Sequence, residues 1–262
     1  MSTPCIEFEH VVAGYKEFMI LNDLSFKVHG GSVTLLIGPN GAGKSTVLKT
    51  LFGLLKPKSG QVYFNGEEVG GATQKSLLAK GIAFVPQGRN LFGQLSVYEN
   101  LELGGITLGM PTTHARIPEV LEFFPRVQER LHSKASALSG GEQKQLEIGR
   151  ALLLRPSVIL IDEPSIGLSP MVVQDVFKLL RKLADQGATV LMVEQNVKSA
   201  LMYADQAIAL ESGRMVMQRP AGDILSDPNL QNLFLGGSAT SATSAPSSAP
   251  GLQSTHNRAT EV

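Results

Sequence analysis

Short runs rich in apolar residues alternate with longer amphipathic stretches along most of the chain. Strands are predicted at Val33–Ile37, Val62–Phe64 and Ile82–Val85. Strands of the fully buried type are predicted at Val158–Ile161, Ala188–Val193 and Ala207–Leu210. Helices are predicted from Lys44 to about Phe52, with Gly53 at the end, and at Pro170–Ala184 and Val197–Tyr203. This alternation predicts an α/β fold, in which helices cover both faces of a mostly parallel sheet.

The two ends of the chain depart from this alternation. Cys5–Val12 and Leu24–Val28 follow each other with no helical pattern between them, which predicts a small antiparallel β piece. Ser238–Val262 consists mostly of Ser, Ala, Thr and Pro and has no apolar periodicity. Such a segment buries too little surface to offset its chain entropy, so residues 238–262 are predicted to be a disordered tail behind a domain of residues 1–237.

The stretch of about residues 95–154 is mainly helical and has little strand character, which predicts a helical lobe inserted into the sheet domain. Ser96 and Glu99 have the spacing of a capping box, in which the two residues at a helix start satisfy each other's backbone N–H groups. A second helix is predicted at Pro118–Leu131, interrupted at Pro125.

Composition and charge narrow the function classes. The 262 residues are 43% hydrophobic, so the chain can form a sizeable core. Lys plus Arg and Asp plus Glu both number 23, and this neutral balance argues against nucleic-acid partners. No apolar run approaches the ~20 residues that span a bilayer. The single cysteine, Cys5, cannot form an internal disulfide, and the chain start has no signal-peptide pattern, so a reducing cytosol is expected.

A phosphate-binding loop is predicted between the strand Val33–Ile37 and the helix that begins at Lys44. The motif GxxxxGK[ST] is matched by Gly38, Pro39, Asn40, Gly41, Ala42, Gly43, Lys44 and Ser45, and Thr46 follows. Glycines let backbone N–H groups converge on phosphate oxygens, and the helix directs its positive end at the same anion. Lys44 is expected to reach the β- and γ-phosphates, and the Ser45 hydroxyl to bind Mg²⁺.

An acidic pair ends the buried strand Val158–Ile161. Asp162 is placed to hold Mg²⁺, directly or through water. Glu163 is placed to polarise the water that attacks the γ-phosphate. The alternative is that Asp162 and Glu163 are two solvated loop residues without a catalytic role. The presence of a phosphate loop in the same chain disfavours that alternative.

The segment Leu138–Gln143 reads LSGGEQ and predicts a second anion site. Ser139 and Glu142 have the capping-box spacing, and Gly140 and Gly141 leave bare backbone N–H groups at a helix start. Because the chain already has one phosphate loop, this second site is expected to meet a nucleotide held by another subunit.

These motifs, in this order, resemble the ATP-binding subunits of ABC transporters from Cys5 to about Gly237. The resemblance implies ATP and Mg²⁺ as cofactors and a head-to-tail pair of ATPase domains, with ATP between one phosphate loop and the partner's Ser139–Glu142 motif. It further implies that Tyr15 stacks on adenine. It also assigns Gln87 a contact with Mg²⁺ or the attacking water and a link to the helical lobe, and puts Gln195 in the catalytic set.

Two departures point to one branch of the family. The family usually has His where this chain has Gln195 and Asp where it has Ser169, although Ser169 before Pro170 still suits a helix start. Four segments, two of which contain these departures, together resemble the shorter of the two ATPase subunits of branched-chain amino-acid importers. They are Val85–Arg89, Gly167–Pro170, Val193–Asn196 and Leu235–Gly237. That branch often carries Glu at the position of Gln87, which keeps a urea or short-chain amide importer open. A non-transport ATPase of the same fold is a further alternative.

The resemblance also implies the setting of the chain. Two membrane permeases, an extracytoplasmic solute-binding protein and a second ATPase, either a different chain or a second copy, are the expected partners. The chain is expected to lie peripherally at the cytoplasmic face of the cell membrane.

Overall fold

The computed structural model describes residues 4–228 as an α/β fold with two sheets. The strands are β1 (Ile6–Tyr15), β2 (Phe18–Val28), β3 (Val33–Ile37), β4 (Ser59–Phe64), β5 (Glu67–Glu68), β6 (Ile82–Val85), β7 (Val158–Asp162), β8 (Thr189–Val193), β9 (Gln206–Glu211) and β10 (Arg214–Pro220). The helices are α1 (Lys44–Leu51), α2 (Gln74–Ala79), α3 (Val97–Gly104), α4 (Met110–Leu121), α5 (Pro125–Gln128), α6 (Gly140–Leu152), α7 (Pro170–Asp185), α8 (Val197–Leu201) and α9 (Ala221–Ser226). Short 3₁₀ turns lie at Ile106–Leu108 and Ala135–Ala137.

The main sheet has the strand order β10-β9-β3-β8-β7-β6. All neighbours in it pair in parallel except the edge pair β9 and β10, so the predicted mostly parallel core is confirmed. Every residue of β3, β7 and β8 is buried, as expected for strands covered on both faces.

The strand register brings three loops to one edge of this sheet. Leu36 of β3 and Asp162 of β7 both pair with Val193 of β8, so the carboxyl ends of these strands lie level. The chain leaves β3 into the glycine-rich loop, β7 into Glu163, and β8 into Glu194. Ligands of open α/β sheets bind at such carboxyl ends, so this edge is where a site is expected.

The predicted antiparallel piece is a four-stranded sheet of order β2-β1-β4-β5. Its hairpin β1–β2 is longer than the sequence pattern indicated, because several register shifts break the apolar alternation in β1. The sheet packs its inner side chains, Phe8 and Phe26 stacked among them, against the helix α1 and the main sheet. Tyr15 ends β1 beside the glycine-rich loop.

The helical lobe is confirmed, since helices α3 to α6 fill the chain between β6 and β7. The capping box of Ser96 and Glu99 forms at the start of α3. The helix predicted at Pro118–Leu131 was wrong in its bounds: α4 runs over Met110–Leu121 with Pro118 inside it. Its Ile117, Val120 and Leu121 are buried against the lobe, and this packing outweighs the hydrogen bond that Pro118 lacks. Pro125 begins the separate helix α5.

Four smaller elements were absent from the sequence prediction, namely β5, α2, the edge strand β10 and α9, all of them short or largely exposed. The predicted boundary at residue 237 and the tail of residues 238–262 lie outside the described residues. Within residues 4–228, no helix combines the length and apolarity that crossing a membrane requires.

Candidate functional site

The glycine-rich loop wraps around the side chain of Lys44, the first residue of α1. Its ammonium donates hydrogen bonds to the carbonyl oxygens of Gly38 (2.8 Å) and Pro39 (3.0 Å). Burial lowers the pKa of Lys44, with Glu163 and Asp162 partly opposing the shift. Gly38, with φ of 145°, lies so close to the Leu210 carbonyl oxygen that a Cβ would collide with it. A glycine-rich loop of this kind at a helix start, with a lysine at its centre, is suited to an anion.

Ser45 and Asp162 form the second part of the site. The Ser45 hydroxyl donates to Asp162 Oδ1 over 3.0 Å, which joins the start of α1 to the end of β7. Burial raises the pKa of Asp162, and the Ser45 hydrogen bond partly opposes the shift. A hydroxyl and a carboxylate are oxygen ligands of the kind Mg²⁺ prefers, with phosphate and water filling the remaining positions. Among residues 4–228 there is no cluster of three or more His, Cys, Asp or Glu side chains that could hold a metal.

Glu163 is held from both sides by amide groups. The Gln87 side-chain amide donates to Glu163 Oε2 over 2.6 Å, and the Gln195 amide donates to Oε1 over 2.8 Å. The backbone of Glu163 has φ of 49°, a left-handed conformation that is costly for a non-glycine residue and is concentrated at functional sites. Its N–H donates to the Val193 carbonyl over 2.9 Å, which fixes this turn to β8.

Glu194 anchors the loops that flank Glu163. It is 1% exposed and accepts hydrogen bonds from the Ser165 N–H (2.8 Å) and hydroxyl (2.7 Å) and from the N–H groups of Gln195 and Asn196. Burial raises the pKa of Glu194, and these donors partly offset the shift. Sequence analysis assigned Glu194 no role, although its position directly after a buried strand matches that of Asp162.

A cavity of about 240 Å³ opens over these groups. It is lined by Tyr15, Ile20, Asn40, Gly41, Gly43, Lys44, Ser45, Thr46 and Glu163. Tyr15 is 45% exposed, and the centre of its ring lies 5.9 Å from the Lys49 ammonium. The structure therefore gathers Tyr15, Glu163 and most of the predicted loop residues around one cavity, whose lining does not include Gly38, Pro39 or Ala42. Gln87 and Gln195 are joined to it by hydrogen bonds to Glu163, and Asp162 by its bond with Ser45.

The Ser139–Glu142 motif lies elsewhere in the same chain. Ser139 caps α6, and the Glu142 carboxylate accepts from the Ser139 N–H over 2.8 Å, as the capping box predicts. This motif borders a separate cavity of about 290 Å³ that shares no residue with the cavity over Lys44. A single copy of the chain therefore does not bring the two predicted anion sites into one cavity.

Comparison with known proteins decides the family. The ABC transporter family model matches residues 21–166. The chain belongs to the ABC transporter family. A high-affinity branched-chain amino acid transport ATP-binding protein of Pseudomonas aeruginosa is 42% identical over 88% of this chain and 100% of its own length. A probable branched-chain amino acid transport ATP-binding protein of Archaeoglobus fulgidus is 39% identical over 86% and 95% of the two chains.

The solved structures agree with this assignment. A crystal structure of the ADP conformation of an ATP-binding cassette of an ABC transporter is similar to this chain, with a TM-score of 0.80 and 30% identity. That match covers 90% of this chain and 100% of the other. This ABC protein is therefore an ATP-binding cassette by fold as well as by motif, and an ATPase of the transport type.

One local expectation for this cassette holds only in part. Ser169 occupies the N-cap position of α7 and Pro170 begins the helix, as predicted. The Ser169 side chain makes no capping hydrogen bond. Sequence analysis also missed the residues that hold the loop after Gln87, which are Asn90, Lys144, Glu147 and Arg150.

Proposed function

We propose that this chain is the ATP-binding subunit of an importer for branched-chain amino acids. The observation that carries the mechanism is the convergence of Lys44, the Ser45–Asp162 pair and Glu163 at one sheet edge. The solute class rests on the two relatives, both described as branched-chain amino acid transport ATP-binding proteins.

In the proposed reaction, Lys44 and the N–H groups of its loop hold the β- and γ-phosphates of ATP, while Tyr15 stacks on adenine. Ser45 and Asp162 would hold Mg²⁺, which supplies charge neutralisation for the phosphate oxygens. Glu163 orients the attacking water and accepts its proton, since a carboxylate in this position is a general base. Gln87 and Gln195 keep the two carboxylate oxygens of Glu163 in a fixed orientation.

The ATP site is proposed to be completed by a second ATPase chain. The separation of the Ser139–Glu142 motif from Lys44 within one copy supports a head-to-tail pair, in which this motif faces the partner's nucleotide. Because Gln195 cannot take a positive charge as histidine can, we propose a different sister chain with His at this position. A homodimer is the alternative arrangement.

The remaining partners follow from the proposed transport role. Two membrane permeases would form the channel, and an extracytoplasmic binding protein would select the solute. The chain would lie at the cytoplasmic face of the cell membrane, held there by the permeases.

Reconstitution tests this proposal. The chain is purified with its permeases and sister ATPase, placed in lipid vesicles, and given the matching binding protein with leucine or with urea. We expect leucine, and not urea, to stimulate both ATP hydrolysis and uptake, and Glu163→Gln to abolish both. Stimulation by urea alone would overturn the solute class, and full ATPase activity of this chain without the sister would overturn the heterodimer.

A further inference from the structure

A buried ion pair lies in the middle of α6, away from the ATP cavity. Lys144 and Glu147 are 5% and 6% exposed, and the Lys144 ammonium lies 2.5 Å from Glu147 Oε2. Removing two charges from water is costly, and an apolar pair of similar volume is often as stable. The pair is therefore a poor device for stability alone, and its other contacts indicate what it holds.

Those contacts all reach the loop that follows Gln87. Glu147 Oε1 accepts from the Asn90 N–H over 2.6 Å, and the Lys144 ammonium lies 3.4 Å from the Gly88 carbonyl oxygen. One turn further along α6, Arg150 Nη1 donates to the Asn90 carbonyl over 2.7 Å. Three side chains of one helix thus hold the backbone of residues 88–90.

The same loop fixes Gln87. The Asn90 side-chain amide lies within hydrogen-bond distance of the Pro86 and Gln87 carbonyl oxygens, at 3.4 and 3.3 Å. The Gln87 side chain in turn donates to Glu163 over 2.6 Å. A continuous set of contacts therefore runs from Glu147 through Asn90 and Gln87 to Glu163.

We propose that Lys144 and Glu147 are positioning residues that set Gln87 against Glu163 by holding the Asn90 backbone. Lys144 orients the Glu147 carboxylate, and the free oxygen of that carboxylate accepts the Asn90 N–H. This inference rests on the proposed role of Glu163 as the base. It goes beyond that role by assigning a function to a pair that touches neither nucleotide nor metal ligand.

A set of variants in the assembled transporter complex separates positioning from stability. Lys144→Leu with Glu147→Leu removes both charges together with the acceptor. Lys144→Leu with Glu147→Gln also removes both charges but keeps an oxygen for the Asn90 N–H. We expect about a tenfold loss of kcat for the first, with the KM and Kd for ATP unchanged, and a smaller loss for the second, because the acceptor remains but Lys144 no longer orients it. Glu119→Leu, which breaks an exposed ion pair with Arg155 in the same lobe, is the matched control and keeps its kcat.

Asn90 offers a test from the other side of the contact, should the double leucine variant not fold. Asn90→Pro removes the N–H that Glu147 accepts, while Asn90→Ala keeps it. We expect the larger loss of kcat for proline. Equal kcat in the two double variants, or a wild-type kcat for Asn90→Pro, overturns the proposal. Glu163→Gln is measured in parallel. If it retains hydrolysis, the proposed base is wrong. If Glu163→Gln is inactive while the Lys144 and Glu147 variants keep wild-type kcat, only this inference is refuted and the proposed base stands.

Discussion

The two amides that hold Glu163 give the sharpest prediction for the ATP site. Gln195 donates to one carboxylate oxygen over 2.8 Å and Gln87 donates to the other over 2.6 Å. Changing Gln195 to Ala removes one donor and frees the carboxylate to rotate about its last bond. Since Gln195 lies outside the lining of the ATP cavity, the change should affect the chemical step rather than ATP binding.

The magnitude follows from the type of bond. A hydrogen bond to a charged group contributes about 1.5–3 kcal/mol. Both glutamines are solvent-exposed, so the lower end of that range applies. About 1.4 kcal/mol corresponds to a tenfold change in rate. We therefore expect Gln195→Ala to lower kcat for ATP roughly tenfold and to leave KM nearly unchanged.

Steady-state ATP hydrolysis by the assembled complex measures both constants. The matched control is Asn196→Ala, because Asn196 is the next residue, is also exposed, and caps α8 through Ser199 without contacting Glu163. Its kcat should stay close to that of the wild type. Wild-type kcat in Gln195→Ala would refute the orienting role. If the KM for ATP also rises in that variant, Gln195 would be assigned to nucleotide binding instead.

Four further predictions follow from the same geometry. Glu163→Gln should keep ATP binding, measured by nucleotide titration, and lower turnover by roughly 10²–10⁴-fold because an amide cannot accept the proton. Gly141→Ala should lower the unfolding temperature, since its Cβ would lie 2.7 Å from Val172 Cγ1, and Val172→Ala should restore it. Burial raises the pKa of Glu194 in the folded protein. Its contribution to folding stability is therefore fully present below the ordinary pKa of Glu and is lost as the pH rises through the raised pKa of the folded state. The stability of Glu194→Gln relative to the wild type should therefore increase as the pH rises above about 4.3, the ordinary pKa of Glu, in thermal unfolding scans. Gln195→His should add a limb near pH ~6.5 to the pH–rate profile, where histidine titrates.

The sequence predicts the parts of this protein whose signals are local. The buried strands, the glycine-rich loop, Asp162 and the capping boxes at Ser96 and Ser139 all follow from patterns within a few residues. Contacts between distant segments could not be predicted in this way. The role of Glu194 depends on the turn at Ser165, which is 29 residues away in the chain, and Glu147 reaches a loop 57 residues away. The misplaced bounds of α4 have a similar cause, because packing within the lobe decides where that helix begins.

Helix α6 connects the two halves of the proposed composite site within one chain. Ser139 caps its start, where the motif for the partner's nucleotide lies, and Glu147 contacts the Asn90 backbone eight residues later, about 12 Å along the axis. A hydrogen-bonded helix of 13 residues bends little over that distance, so a displacement at Ser139 moves Glu147 with it. Because Asn90 leads to Gln87 and Gln87 to Glu163, engagement of the partner's nucleotide would change how firmly the base is held in this chain. Hydrolysis at one site would then depend on occupancy of the other without any direct contact between the two nucleotides.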